Sequence, residues 1–289
     1  MDERSGHWAP DLRRVLAPNP SAFTAGGTNT WLLGREGLCV IDPGPDHAGH
    51  LDAILRAAEG RRVEAIVVTH AHRDHSGLAA ALAARTGAPV LAFGDARAGV
   101  RPAPEGVGGG WGVDDAFRPD RALADGEAIE GSGWRLVAWH APGHMGNHLC
   151  LDDGGRLWTG DHAMGFATSL VSPPEGDMGD YIGSLRRLLA LGPRSLWPGH
   201  GEPVADGAAR LGMLLEHRLQ REREVIDALT EGPATARGIA DRVYSGLPDP
   251  LRRAAERNVL AHLLHLAREG VVAPEGSLSA AVAFRRVRA

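Results

Sequence analysis

The chain contains no lysine, so all 31 of its basic residues are arginines. They are outnumbered by 36 acidic residues, which leaves a formal net charge of -5. The absence of lysine, together with the richness in Ala, Gly and Pro, indicates the codon bias of a GC-rich genome. Arginine content is therefore poor evidence of nucleic-acid binding here, and the net negative charge argues against a protein that coats RNA or DNA.

Cysteine is also scarce, with only Cys39 and Cys150 in the whole sequence. Each lies in an apolar, strand-like stretch, and neither has a second cysteine at metal-ligand spacing. This argues against a disulfide framework and a zinc knuckle. We expect both thiols to be small buried hydrophobic groups.

No stretch of the sequence approaches the roughly 18 uninterrupted apolar residues that a membrane span needs. The first residues, Met1-Asp2-Glu3-Arg4, are charged and lack the apolar segment of a secretory signal. With 43% hydrophobic and 23% charged residues, the 289-residue chain has the composition of a globular protein, large enough for one domain plus a small one. We expect a cytoplasmic protein with no membrane partner.

Strand-like and helical segments alternate up to about residue 205, which favours an α/β core. Strands are predicted near 29–33, 38–41, 65–68, 89–91, 134–139, 148–151, 156–159 and 195–197. Helices are predicted near 47–59, 76–86 and 178–191. Residues 94–120 are rich in Gly, Pro and Asp and predict a long loop.

The pattern changes after about residue 205. Helical periodicity dominates at about 208–231, 234–244 and 251–269, with glycines at the helix ends, and a hairpin-like tail follows. Helices followed by a two-stranded wing are typical of a winged helix. The sequence therefore predicts a main α/β domain over 1–208 and a small, winged-helix-like α domain over 209–289.

The most informative segment is Thr69-His70-Ala71-His72-Arg73-Asp74-His75-Ser76-Gly77. It follows an apolar strand and precedes an alanine-rich helix. Three imidazoles and a carboxylate within six residues are hard to explain by packing, whereas His and Asp are common metal ligands. The segment predicts a metal-binding turn.

Further donors stand where other predicted strands end in tight glycine turns. They are Pro142-Gly143-His144, Gly160-Asp161-His162 and Pro198-Gly199-His200-Gly201. Functional groups of α/β proteins gather at such positions. We expect the loops that carry these donors to meet the histidine-rich turn.

Seven donors divide into two sets with one shared member. The first set is His70, His72 and His144, the second is Asp74, His75 and His200, and Asp161 can bridge both. A set of nitrogen and oxygen donors without thiolate suits two Zn²⁺ ions, with iron or manganese as alternatives. Two bridged ions would lower the pKa of a shared water and present hydroxide as the nucleophile of a hydrolase.

This constellation resembles the metallo-beta-lactamase superfamily over about residues 20–205. The resemblance rests on the His-x-His-x-Asp-His motif at 70–75 and on the Pro-Gly-His, Gly-Asp and Gly-His motifs that follow. It implies an αββα sandwich with the site at one edge, between two sheets. It also implies that Asp74 is both a ligand and the catalytic acceptor of a proton from the attacking water.

Within the superfamily, the resemblance is strongest to the beta-lactamase-like protein 2 group. It rests on Asn19-Pro20-Ser21, Gly27-Thr28-Asn29-Thr30, Asp42-Pro43-Gly44 and the winged-helix-like tail. Members of that group include a single-strand-preferring endoribonuclease and thioesterases of polyketide pathways. One departure is Met145, which stands where a hydroxyl residue is frequent and which removes a hydrogen-bonding group beside the site.

Two substrate classes remain open. The weakly acidic chain favours hydrolysis of an ester or thioester, in which hydroxide attacks the carbonyl; the alternative is endonucleolytic cleavage of single-stranded RNA. A narrow apolar cleft at the metals would support the first, and a basic groove the second. Beta-lactamase activity is expected to be weak or absent, because Asp161 replaces the cysteine of the commonest lactamases and no lysine is present.

Candidate substrate contacts are His162, Trp111 and Phe166. At the wing, Arg285, Arg286 and Arg288 form a basic cluster, but the helices before it carry mixed charge. That mixture favours packing or a homodimer contact over nucleic-acid reading.

Overall fold

Seven strands form the first sheet, which carries the N-terminal half of the protein. The computed structural model describes residues 6–102, 106–244 and 246–287. In spatial order, which is also chain order, the strands are β1 (Gly6–Ala9), β2 (Leu12–Leu16), β3 (Asn29–Leu33), β4 (Gly37–Ile41), β5 (Arg62–Val67), β6 (Val90–Ala92) and β7 (Arg121–Ala122). From β4 to β7 the pairing is parallel. Functional side chains that follow β4 and β5 therefore emerge at one edge.

The second sheet has five strands in the order β12 (Ser195–Pro198), β11 (Arg156–Gly160), β10 (Leu149–Asp152), β9 (Trp134–His140) and β8 (Glu127–Gly131). Only β11 and β12 pair in parallel among these neighbours. Their shared direction brings the residues after both strands to the same end of the sheet.

Helices cover the outer faces of the two sheets. The helices α1 (Ala48–Ala58), α2 (Arg73–Ser76) and α3 (Ala79–Thr86) lie in the first half, and α4 (Met178–Ala190) and α5 (Gly207–Ala228) in the second. One apolar cluster packs α1 and α3 on the first sheet, a second fills the space between the sheets, and a third packs α4 and α5 on the second sheet. The layers make the predicted αββα sandwich.

Burial on both faces explains the composition of the central strands. Every residue of β3 and of β4 is buried. A strand covered on both faces is mostly apolar along its length instead of alternating with polar residues. This is why Leu38-Cys39-Val40-Ile41 forms a continuous apolar run, and both cysteines are buried free thiols, as expected.

The C-terminal domain contains α5, α6 (Ala236–Val243), α7 (Asp249–Arg268) and a small sheet of β13 (Ala234–Thr235), β15 (Ala283–Arg286) and β14 (Val272–Pro274). Its helices and wing enclose a separate apolar core. The predicted winged helix is confirmed. Arg288 and residues 1–4 lie outside the described residues.

The sequence did not predict several strands. Leu12-Arg13-Arg14-Val15-Leu16 forms β2 although it carries two arginines, because the Arg14 guanidinium lies 4.8 Å from the Trp8 ring and 3.0 Å from Glu202. The predicted helix at 76–86 is wrong at its start. Helix α2 already begins at Arg73, whose amide donates to Gly112 at 2.8 Å, and α3 follows after a break.

Across the described residues, no helix has both the length and the apolar character to span a membrane.

Candidate metal centre

Four chain segments meet at the edge where strands of both sheets end. The segment after β5 supplies four donors, and the turns after β9, β11 and β12 supply the other three. The donor atoms form two groups, and within each group they lie within 4.8 Å of one another. The first group is His70, His72, His144 and Asp161, and the second is Asp74, His75 and His200. The structure thus brings the seven predicted side chains together; their role as ligands remains a prediction.

Asp161 lies between the two groups. Its Oδ1 is 3.4 Å from His75 Nε2 and 3.3 Å from His200 Nε2, and its Oδ2 is 3.7 Å from His144 Nε2. Although buried, Oδ1 has no hydrogen-bond partner among the described residues. A buried carboxylate oxygen without a partner is costly in free energy. A cation between the two groups would satisfy it, and therefore the donor set fits a metal ion.

Hydrogen bonds behind the rings fix which nitrogen faces the centre. The Nδ1–H of His70 donates to Thr69 Oγ1 at 3.0 Å, that of His75 to Asp42 at 2.9 Å, that of His144 to the Leu170 carbonyl at 2.6 Å and that of His200 to the Gly27 carbonyl at 3.3 Å. In the neutral ring, a donating Nδ1 leaves Nε2 with a free lone pair. These four rings therefore present Nε2 to the centre.

His72 is oriented differently. Its Nδ1 lies 2.9 Å from His70 Nε2 and 3.1 Å from His144 Nε2. Three ring nitrogens thus converge on one point, and His72 contributes Nδ1 where its neighbours contribute Nε2. Its backbone is extended (φ -84°, ψ 142°), and it is the residue immediately before α2, the helix that carries Asp74 and His75.

Burial keeps the first histidine group neutral. It lowers the pKa of His70 and His144 below the ordinary value and that of His72 to about 3. Buried imidazoles lose the hydration that would stabilise a charge. Neutral imidazole is the form that binds a metal, so the first group is ready to bind without losing protons.

The second group has the opposite electrostatics. Burial alone would lower the pKa of His200, but the nearby carboxylates, Asp161 foremost, raise it to about 9. The pKa of His75 rises for the same reason. Burial would raise the pKa of Asp74, but His75 and His200 hold it well below its usual range. The carboxylates are thus ionised and ready to meet a cation.

Asp42 is a site residue whose role the sequence analysis missed. It directly follows β4, is 2% exposed and accepts hydrogen bonds from the Thr69 amide at 2.7 Å and the Thr69 hydroxyl at 2.8 Å, besides His75. Its φ of 51° lies in the left-handed region. A strained residue at a site is often functional. The sequence could have indicated this role, because Asp42 follows β4 and the ends of the adjacent parallel strands β4 and β5 meet at one edge.

The three candidate substrate contacts lie in different surroundings. His162 is fully buried, with its ring 4.6 Å from the Tyr181 ring, so the expected substrate contact is wrong for this side chain. Trp111 is 54% exposed on the loop that pairs with His72 through Val113, and Phe166 is 48% exposed beside Gly201. For Trp111 and Phe166 the substrate contact remains a prediction.

A cavity of about 620 Å³ lies beside the turn that carries His200, and Gly201 and Glu202 form part of its lining. Apolar side chains dominate its wall: Leu16, Ala25, Phe166, Pro203 and Val204. The basic side chain in the lining, Arg14, is 3.0 Å from Glu202. Asn29, also in the wall, donates to the Pro198 carbonyl at 3.0 Å and the Gly201 carbonyl at 2.8 Å, and so fixes the turn that carries His200.

Comparison with known proteins identifies the family. The model of the metallo-beta-lactamase superfamily matches residues 23–200, which is more than half of the chain. The chain belongs to the metallo-beta-lactamase superfamily. The model of the beta-lactamase-associated winged helix domain matches residues 235–281. The metallo-beta-lactamase fold and its appended winged helix, both predicted from the sequence, are confirmed.

Relatives in this superfamily resemble the chain along most of its length. A beta-lactamase-like protein 2 homolog of Caenorhabditis elegans is 32% identical, over 90% of this chain and 85% of that protein. An atrochrysone carboxyl ACP thioesterase of Aspergillus chevalieri is 30% identical, over 92% of this chain and 84% of that protein. The crystal structure of a metallo-beta-lactamase family protein from Thermus thermophilus has a TM-score of 0.76 at 25% identity, and covers 97% of this chain and 100% of that one.

Proposed function

We propose that the protein is a dinuclear metal-dependent hydrolase that cleaves an ester or thioester. The observation that carries the proposal is the position of Asp161 between two compact groups of donors. The nitrogen and oxygen donors favour zinc, with iron or manganese as alternatives. Two divalent ions held there would lower the pKa of water and polarise the carbonyl oxygen of the substrate.

Asp74 is the residue that we assign to proton transfer. Its side chain is 29% exposed, against 12% for Asp161, so it faces the open side of the centre. His75 and His200 keep it ionised, which leaves it able to accept a proton from an attacking water. Thr28 Oγ1 donates to Asp74 at 3.3 Å and itself accepts from Asn19 at 2.9 Å, and this short chain orients the carboxylate.

The wall of the 620 Å³ cavity supports a carbonyl substrate with an apolar acyl group. Phe166 and Val204 offer apolar surface next to the turn that carries His200, whereas Arg14 is already paired with Glu202. RNA binding relies on cationic side chains that face the phosphates. The Aspergillus relative named as an acyl-carrier thioesterase also supports a thioester substrate.

One substrate panel tests the proposal. Metal-loaded protein would be assayed with acyl-pantetheine thioesters of rising chain length, a lactone, a chromogenic beta-lactam, a phosphodiester and single-stranded RNA. We expect turnover of the thioesters, faster for longer acyl chains, and weak or no turnover of the lactam. Cleavage of RNA with inert thioesters would overturn the substrate assignment in favour of an endoribonuclease.

Separate measurements test the metal content, the proton acceptor and the role of the cavity. Elemental analysis of protein purified without chelators should give about two metal ions per chain, and negligible metal would refute the centre.

Asp74→Ala should lose at least about 100-fold in kcat, the usual scale for a general base. Phe166→Ala should raise KM for long-chain thioesters, while Met213→Ala, at a 62% exposed position on α5, should leave KM unchanged.

A further inference from the structure

The short segment from Ser169 to Val171 lies directly behind the candidate metal centre. The Leu170 carbonyl accepts the Nδ1–H of His144 at 2.6 Å. The Ser169 hydroxyl donates to the main-chain carbonyl of Asp161 and to that of His162, the latter at 2.9 Å. This segment therefore fixes one ring of the first group and the backbone of the carboxylate shared by both groups.

Two helices of the C-terminal part hold the other side of the same segment. The Arg218 guanidinium, on α5, donates to the Ser169 carbonyl, and Asn258 Oδ1, on α7, accepts from the Val171 amide at 2.9 Å. Arg218 is 1% exposed and Asn258 is 9% exposed. Both bonds are buried, so water cannot easily replace either of them.

The burial of Arg218 is itself informative. A guanidinium removed from water is costly, and an apolar side chain of similar length would pack there at lower cost. Arg218 packs over the Tyr181 ring at 5.1 Å and directs its donor at a backbone carbonyl. Because packing alone does not require a charge at this position, the bond to the segment gives a reason for it.

The helix α7 holds a second loop of the centre. Arg257 donates to the Val107 carbonyl at 2.7 Å, and the Val107 side chain is buried in the apolar core of the C-terminal domain. The same loop continues to Val113, which pairs with His72. The C-terminal helices thus reach two different segments that contact candidate ligands.

We propose that Arg218 and Asn258 are positioning residues that set the geometry of His144 and Asp161 through the segment 169–171. The C-terminal domain would then complete the metal centre instead of serving only as a recognition module. The proposal rests on the proposed metal centre, and it concerns affinity for metal and not the identity of the substrate. Partners of metal ligands usually contribute about 10- to 100-fold to affinity.

Metal affinity is the decisive measurement. Zn²⁺ affinity would be measured by competition with a chromophoric chelator, and the absorption spectrum of the Co²⁺-substituted protein would report ligand geometry. In the full-length protein, we expect Arg218→Met and Ser169→Ala each to weaken binding by about 10- to 100-fold and to shift the Co²⁺ bands. Arg218→Lys, which keeps a donor of similar reach, should recover part of the lost affinity.

A matched control lies one turn further along α5. Arg221 contacts Glu224 at 2.6 Å and the Tyr244 ring at 4.7 Å, both within the C-terminal domain. Arg221→Met should therefore keep the affinity and the Co²⁺ spectrum of the wild type, even if it lowers thermal stability.

The outcomes are distinguishable. Wild-type protein that binds no metal would refute the proposed function itself. Metal-binding wild type together with unaltered affinity and spectrum in folded Arg218→Met and Ser169→Ala would overturn the positioning role alone. If Arg218→Met does not fold, Asn258→Ala decides, because it removes the other bond to the segment, that to the Val171 amide, and leaves Arg218 in place; weaker Zn²⁺ binding is expected, and unaltered binding would overturn the positioning role.

Discussion

Asp42 and His75 are joined by a buried hydrogen bond of 2.9 Å between a carboxylate oxygen and Nδ1. The carboxylate selects the tautomer of His75 and increases the basicity of its Nε2. The ring is fully buried and Asp42 is 2% exposed, so the pair is shielded from solvent. This bond makes Asp42 part of the centre although it is not one of the seven donors.

We expect Asp42→Asn to weaken binding of the ion held by the second group by about 10- to 100-fold. Asn tolerates the left-handed backbone and keeps an acceptor for the Thr69 amide, but it lacks the charge. Equilibrium titration with Zn²⁺ measures the change. Asp46→Asn, at an exposed position four residues along, makes the same charge change and should leave both affinities as they are. Equal affinities in Asp42→Asn and wild type would contradict the prediction.

Metal removal should lower stability as well as abolish turnover. Ions that bind only the folded state stabilise it by about 2.7 kcal/mol at a free concentration 100-fold above Kd. We therefore expect the thermal midpoint of chelator-treated protein to rise on adding Zn²⁺, by several degrees, and activity to return with it. A midpoint independent of Zn²⁺ from zero to a large excess would argue against ions at the centre.

The buried His50 predicts acid sensitivity. Burial lowers its pKa to about 4, whereas an unfolded histidine titrates near about 6.5. The unfolded state therefore binds the proton first, and the stability that is present above pH of about 6.5 is lost as the pH falls towards 4. The full effect of this one group is about 3 kcal/mol.

His50→Gln keeps a polar group for Thr30 Oγ1, which lies 2.9 Å from the ring, but does not titrate. We expect it to reduce the fall in unfolding free energy between about pH 7 and pH 4.5, measured by urea titration. Its stability at pH 7 should stay within about 1 kcal/mol of the wild type, the scale of one hydrogen bond. Parallel pH profiles for the two proteins would show that another group is responsible.

Alanine substitutions at two glycines should change the stability of the fold in opposite directions. At Gly143, φ is +141° and an added Cβ would lie 2.3 Å from the Tyr181 Cα, so Gly143→Ala should cost about 3 kcal/mol or more and displace His144. At Gly183, inside α4, an added Cβ has no heavy atom within 4 Å, and Gly183→Ala should stabilise by about 0.5–1 kcal/mol. Thermal melts of both variants check the contrast, and equal shifts would refute it.

The sequence predicted the donors because each follows an apolar strand and stands in a glycine turn. Backbone groups that support the donors could not be predicted in this way. The Leu170 carbonyl that receives His144 is present whatever residue occupies the position, and Arg218 resembles any other arginine on a polar helix. The strand β2 was missed because it carries two arginines, and Arg14 becomes buried only when Trp8 and Glu202 lie against it.

His162 is a residue for which the sequence predicted a role that the structure does not support. Its position beside Asp161 suggested contact with substrate, yet the turn after β11, closed by the bond from the His162 amide to the Thr159 carbonyl, directs the two side chains to different sides. Asp161 faces the donors, and His162 faces Tyr181 and the interior. Proximity along the chain did not give the direction of the side chain.

The separation of the donors along the chain has a consequence for when the proposed metal ions can bind during synthesis. His75 and His200 are 125 residues apart, and His200 follows β12, the last strand of the second sheet. At roughly 5–20 residues per second, the ribosome needs about 6–25 s to synthesise the intervening chain. Until then the histidine-rich turn is only half of the proposed site. Which metal binds would therefore be determined by the complete fold and by the ions available after translation.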